Sequence, residues 1–108
     1  MTLDEYQEAA ARTAGKSAGR QLRLTISALG ITGESGEVAD IIKKHVGHAH
    51  PLDEEKLRKE IGDVLWYVAD LATTLGTSLS AIAEANVAKL KARYPDGFST
   101  ERSINRTE

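Results

Sequence analysis

The stretch Asp53-Glu-Glu-Lys-Leu57-Arg-Lys-Glu60-Ile-Gly-Asp63-Val-Leu-Trp-Tyr67-Val-Ala-Asp70-Leu-Ala-Thr-Thr-Leu75-Gly76 decides the fold. Leu57, Ile61, Val64, Val68, Leu71 and Leu75 recur every three or four residues, the period of one helix face. Asp53 suits an N-cap, and Glu54 and Glu55 occupy a first turn where the helix dipole favours negative charge. Gly76 supplies the C′ stop. The reading is one helix ending near Leu75 with a single apolar stripe. Glu60, Asp63, Tyr67, Asp70 and Thr74 make a second stripe beside it, so two carboxylates sit at the edge of the face expected to be buried.

Working towards the N-terminus, Glu34-Ser-Gly-Glu37 repeats this carboxylate spacing, with Val38 to Lys59 between the two motifs. Residues three apart share a helix face, so each motif presents a carboxylate pair. If the two helices run antiparallel with those faces opposed, four carboxylates converge on one small volume. That crowding is strongly unfavourable unless a cation sits among them. An all-oxygen donor set suits Mg²⁺, which commonly shares its shell with substrate phosphates. Solvated helix faces carry the same spacings, so a non-catalytic helical interaction module with an exposed acidic face is the competing reading.

The rest of the chain reads as further helices. Thr2-Leu-Asp-Glu5 fits a capping box that opens a short helix reaching about Thr13, with Leu3, Tyr6 and Ala10 inward. Gly15, Ser17 and Gly19 mark a loop. A longer helix begins near Gln21, with Leu22, Ile26, Leu29 and Gly33 and then Val38, Ile41 and Ile42 as its apolar positions. Gly30, Gly33 and Gly36 interrupt it, each costing about 1 kcal/mol relative to alanine. They fit a close approach of another group, a kink or a break equally well. Gly47, His48, His50 and Pro51 end that helix. The last helix is capped by Thr77 or Ser78, has Leu79, Ile82, Ala83, Val87, Leu90 and Tyr94 as its apolar side, and stops at Pro95. Residues 96–108 read as a polar C-terminal tail in which Phe98 is the one docking candidate. No window shows the period-two alternation of a strand. The expected fold is all-α and four-helix bundle-like, a single domain over 1–95 completed by oligomerisation.

Composition narrows the function. The 108 residues include no cysteine, which excludes disulfide scaffolds, zinc–thiolate sites and cysteine nucleophiles. A net charge of −2 argues against a dedicated nucleic-acid binder. The N-terminus shows no secretory pattern and no run has the ~18 apolar residues of a membrane helix, so a cytoplasmic protein without a membrane partner is expected.

Beyond the acids, Asn86, Lys89 and Arg93 form one polar stripe on the last helix. A compact ammonium and a planar guanidinium fork suit a phosphate chain, although basic residues late in a helix also complement its dipole. Tyr67 shares the stripe of Glu60 and Asp63, in position to stack on a base or bind phosphate, whereas Trp66 reads as core or subunit interface. His45, His48 and His50 cluster in a loop and lack the Glu-x-x-His pattern of di-iron bundles, which disfavours a redox metal protein.

These residues together resemble the MazG-like all-α nucleoside triphosphate pyrophosphohydrolases. The resemblance covers roughly residues 20–98: Gly33-Glu-Ser-Gly-Glu-Val-Ala-Asp40, Lys43-Lys44, Lys59-Glu-Ile-Gly-Asp-Val-Leu-Trp-Tyr67 and Asn86-Val-Ala-Lys-Leu-Lys-Ala-Arg-Tyr-Pro-Asp-Gly-Phe98. It implies hydrolysis of nucleoside triphosphates between the α and β phosphates, giving monophosphate and pyrophosphate. It also implies that Glu34, Glu37, Glu60 and Asp63 hold Mg²⁺, with Mn²⁺ as a substitute, and serve catalysis. Asn86, Lys89 and Arg93 would contact substrate, with Lys44 adding charge from the first acidic helix. Members assemble as homodimers or homotetramers, and with one motif set this chain resembles the small single-domain type. Which carboxylate is the base, and which nucleotide is used, stay open at this level.

Overall fold

The computed structural model describes residues 1–15 and 19–106. Five helices account for its regular structure: α1 (Leu3–Ala11), α2 (Arg20–Gly47), α3 (Glu54–Thr74), α4 (Leu79–Arg93) and α5 (Thr100–Ile104). The all-α expectation holds, and a fifth short helix stands where residues 96–108 read as a tail. The loop expected at Gly15, Ser17 and Gly19 is described only at its two glycines, Ser17 lying outside the described residues.

Local hydrogen bonds set the helix starts. Thr2 N donates to Glu5 Oε1 at 2.8 Å and Glu5 N donates to Thr2 Oγ1 at 3.1 Å, so both arms of the capping box form. Asp53 Oδ1 accepts from Lys56 N at the start of α3, and Ser78 Oγ accepts from Ala81 N at the start of α4. Gly76 takes a φ of 76°, the left-handed stop expected after α3. At the end of α2, His50 N donates to Lys44 O and His45 Nδ1 lies 2.7 Å from His50 O. A carbonyl only accepts, so Nδ1 carries the hydrogen, and the histidine cluster closes a helix end.

α2 runs through all three glycines without a break. It packs along α3, while α1 bridges α3 and α4. Among the described residues the buried apolar ones are few: Ala10, Ala69, Ala72 and Leu79, with Tyr6, Trp66 and Val68 packed against them. Gln7 staples this corner, its Nε2 donating to Thr73 Oγ1 and Thr77 O while its Oε1 accepts from Leu79 N. Between α2 and α3, Asp70 is buried with fully buried Ser27, whose hydroxyl donates to it at 2.6 Å, and Arg23 bonds its other oxygen at 3.1 Å. A carboxylate can occupy that position because both of its oxygens are satisfied.

The inward face of α2 differs from the one its apolar spacing predicted. Leu24, Ser27, Ile31, Glu34, Val38 and Ile41 are the shielded positions, whereas Leu22, Ile26 and Leu29 are exposed. On α3, Ile61 and Leu75 are likewise exposed. The radius of gyration is 17.0 Å, against about 13 Å for a compact chain of this length.

Candidate active site

Antiparallel packing of α2 on α3 brings Glu34 opposite Glu60 and Asp63. One carboxylate oxygen from each lies within 4.8 Å of the others. Glu34 and Glu60 are half-buried and Asp63 is exposed. Partial desolvation pushes the Glu34 carboxyl above the usual carboxylate range, as do its hydrogen bond with Glu60 and the charges of Asp63, Glu60 and Glu37. Glu34 holds a proton more tightly than an ordinary carboxylate, and a cation can take the place of that proton. Asp63 also acts on α1: desolvation and its negative charge raise the Tyr6 hydroxyl.

Glu37, one turn beyond Glu34, is exposed and lies outside this three-oxygen group, although its charge reaches Glu34. Lys44 is engaged by Asp40 at 2.8 Å, which raises its ammonium and lowers the Asp40 carboxyl. Glu34 and Asp63 line a cavity of about 340 Å³ with Trp66 and Tyr67. Tyr67 therefore borders the acids. Trp66, expected only as core or interface, packs on the core and also walls this cavity, its ring edge-on to Tyr67 at 5.0 Å and its Nε1 donating to Thr13 Oγ1. The two rings, at right angles to each other, give the cavity an apolar aromatic side next to the carboxylates.

Tyr67 reaches this position because of Gly30. A Cβ at Gly30 would stand 2.6 Å from Tyr67 Cγ and closer still to Cδ1 and Cε1, whereas nothing lies within 4 Å of a Cβ at Gly33 or Gly36. The close approach is thus made by an aromatic ring, and at one of the three glycines.

The cationic residues lie elsewhere in the chain. Asn86 is exposed on α4. Lys89 and Arg93 line a second cavity, of about 600 Å³, with residues of and beside α5 that include Arg102 and Arg106. The two cavities share no described lining residue. Sequence reasoning passed over the two arginines because residues 96–108 show no extended helical pattern. The signal that marks them is the Pro95-Asp-Gly97 turn followed by a Ser99 cap.

Residues 24–98 match the MazG nucleotide pyrophosphohydrolase domain, a span that contains α3 and α4 entire and both acidic motifs. The chain is also 35% identical over 114 residues to the Gene 37 protein of Mycobacterium phage L5, covering 98% of this chain and 100% of that protein. No solved structure matches. With three-quarters of the motif's carboxylates gathered between α2 and α3 in an all-α fold, the chain belongs to the MazG nucleotide pyrophosphohydrolase domain family.

Proposed function

We propose that this protein is a Mg²⁺-dependent hydrolase that cleaves the α–β phosphoanhydride of ribo- or deoxynucleoside triphosphates, giving nucleoside monophosphate and pyrophosphate. The observation that carries the proposal is the Glu34–Glu60–Asp63 cluster, lying inside the span that matches the domain. Its chemistry fits the cation: the donors are all oxygen and all anionic, and partial desolvation, the Glu60 hydrogen bond and the neighbouring charges together raise the Glu34 carboxyl. Glu34, Glu60 and Asp63 would hold the metal, with Glu37 one turn away on the same helix to join it. Mn²⁺ offers the same preference for oxygen. When bound, the cation supplies charge neutralisation for the phosphate oxygens.

The chain's own residues account for the rest. Tyr67 and Trp66 give the base a surface beside the acids. A cluster carboxylate orients the attacking water and takes its proton as the new oxygen–phosphorus bond forms and the bridging oxygen–phosphorus bond breaks in line. Asn86, Lys89 and Arg93 bind phosphate oxygens, with Lys44 adding positive charge near the acids. Because the cationic and acidic cavities are separate within one chain, and because α2 exposes Leu22, Ile26 and Leu29 along a second face, the active form is a homo-oligomer, dimer or tetramer. No helix among the described residues is long and apolar enough to cross a membrane. A cytoplasmic role in keeping the nucleotide pool free of unwanted triphosphates follows from this activity.

The test is pyrophosphate release from a panel of nucleoside triphosphates, with Mg²⁺ and with chelator. Metal-dependent release of pyrophosphate and monophosphate is expected, and its loss in folded Glu34→Gln and Asp63→Asn. Activity retained in both variants would sink the site assignment. If folded protein turned over no nucleotide, the acidic face would be that of an interaction module.

A further inference from the structure

The chain beyond α4 is folded back by a defined turn. Tyr94 N donates to Leu90 O at 2.8 Å and Gly97 N donates to Tyr94 O at 3.1 Å. Gly97 takes a φ of 89°, where a side chain would be strained. The Tyr94 and Phe98 rings pack 5.3 Å apart, and Ser99 Oγ accepts from Arg102 N to start α5. The reversal brings α5 beside the last turns of α4, and the two border an open cavity of about 600 Å³. That volume lies within the range of small-molecule sites.

Its lining is cationic. Lys89, Arg102 and Arg106 stand around it with Arg93, and Glu101 is the one carboxylate among the described lining residues. The whole chain has a formal net charge of −2. The overall composition therefore does not account for this patch. Like charges gathered around one cavity repel, and an anion in it relieves that repulsion. Guanidinium forks bind phosphate oxygens in pairs, Lys89 adds a point charge, and Ser99 and Asn105 add neutral hydrogen-bonding groups at the wall.

We infer that this cavity binds an oligophosphate, with Arg102 and Arg106 joining Lys89 and Arg93 as its ligands. Both arginines lie past residue 98, so α5 stands outside the span that matches the domain. The identification of the anion as oligophosphate rests on the activity proposed above. The existence of an anion site rests on the cavity alone.

The experiment is calorimetric titration of the full-length chain with inorganic pyrophosphate, in chelator and without nucleotide. Wild-type protein is expected to bind, and Arg102→Ala to weaken binding about tenfold, the usual size for loss of a charge-assisted contact. Arg106→Ala, which follows α5 and leaves its helix intact, is expected to weaken it several-fold, with Arg102→Lys between wild type and alanine. Glu34→Gln should still bind pyrophosphate and keep its sensitivity to Arg102→Ala, because the four ligands proposed for pyrophosphate all line the cavity beside α5. That arm separates this inference from the proposed activity: pyrophosphate binding with no turnover would overturn the activity and leave the site standing. Competition with a non-hydrolysable α,β-methylene triphosphate assigns the source. Displacement identifies the substrate's phosphate chain, and simultaneous binding identifies free product. Absence of pyrophosphate binding by wild-type protein, or equal binding by Arg102→Ala and Arg106→Ala, would overturn the inference.

Discussion

Substituting alanine at Gly30 tests how α2 and α3 approach each other. In an open helix interior, glycine to alanine gains about 1 kcal/mol. Gly33 and Gly36 are such positions, with nothing within 4 Å of an added Cβ. At Gly30 the same carbon would stand 2.6 Å from Tyr67 Cγ, well inside the ~3.5–4.0 Å optimum for two carbons. Rotation of the ring cannot relieve this, because Cγ is the ring's root and the ring's edge contact with Trp66 opposes translation. Overpacking of this kind costs about 1–3 kcal/mol, which meets or exceeds the helix-propensity gain. Gly30→Ala is therefore expected to be neutral to about 2 kcal/mol destabilised, while Gly36→Ala is stabilised by up to about 1 kcal/mol. The contrast of about 1–3 kcal/mol corresponds to roughly 4–12 °C in Tm for a chain this size. Thermal unfolding followed by circular dichroism, at one fixed protein concentration so that any assembly contributes equally, reads it directly. Gly30→Ala melting as high as Gly36→Ala would refute the close approach. The clash also moves a wall of the acidic cavity, so Gly30→Ala should lower turnover where Gly36→Ala changes it less.

The remaining predictions concern buried charge and the acidic cluster. Asp70→Ala leaves Arg23 and Ser27 without their shared acceptor. A fully buried pair broken this way costs about 3–5 kcal/mol. Arg23 is 28% exposed, so a loss nearer 2 kcal/mol is expected in urea unfolding, and an unchanged midpoint would show the network to be dispensable. In chelator, the raised Glu34 carboxyl stabilises the folded state fully below the ordinary carboxylate range, and that contribution is lost as pH rises through the raised value. Glu5 and Asp40, both lowered, act in the opposite sense and lose their contribution as pH falls. The Tm of Glu34→Gln minus that of wild type should thus grow more positive as pH rises from acid to neutral, and a flat difference would contradict the crowding. Adding Mg²⁺ should raise the wild-type Tm and leave that of Glu60→Gln nearly unmoved, measured in the same scans.

The helix boundaries were legible because their causes are local. Thr2 with Glu5, Asp53 with Lys56 and Ser78 with Ala81 each satisfy free amides within one turn, and Gly76 accepts a backbone angle other residues resist. The acidic motifs were legible for a similar reason, since a spacing of three on a helix fixes a shared face. Only tertiary structure decided which side of α2 meets α3. Leu22, Ile26 and Leu29 form as good an apolar stripe as the buried side, which includes Ser27 and Glu34. Periodicity alone ranks the former higher. The buried choice follows from contacts between distant residues: Tyr67 requires the space at Gly30, and Asp70 requires Ser27 and Arg23. That same rotation of α2 brings Glu34 to Glu60 and Asp63 while Glu37 stays outside the group. Likewise, the arginines after Pro95 meet Lys89 and Arg93 only because the chain reverses at Gly97. Local sequence determines where each helix begins and what it carries. Packing between helices determines which of those groups meet, because a helix with two usable faces is told which to bury only by its neighbour.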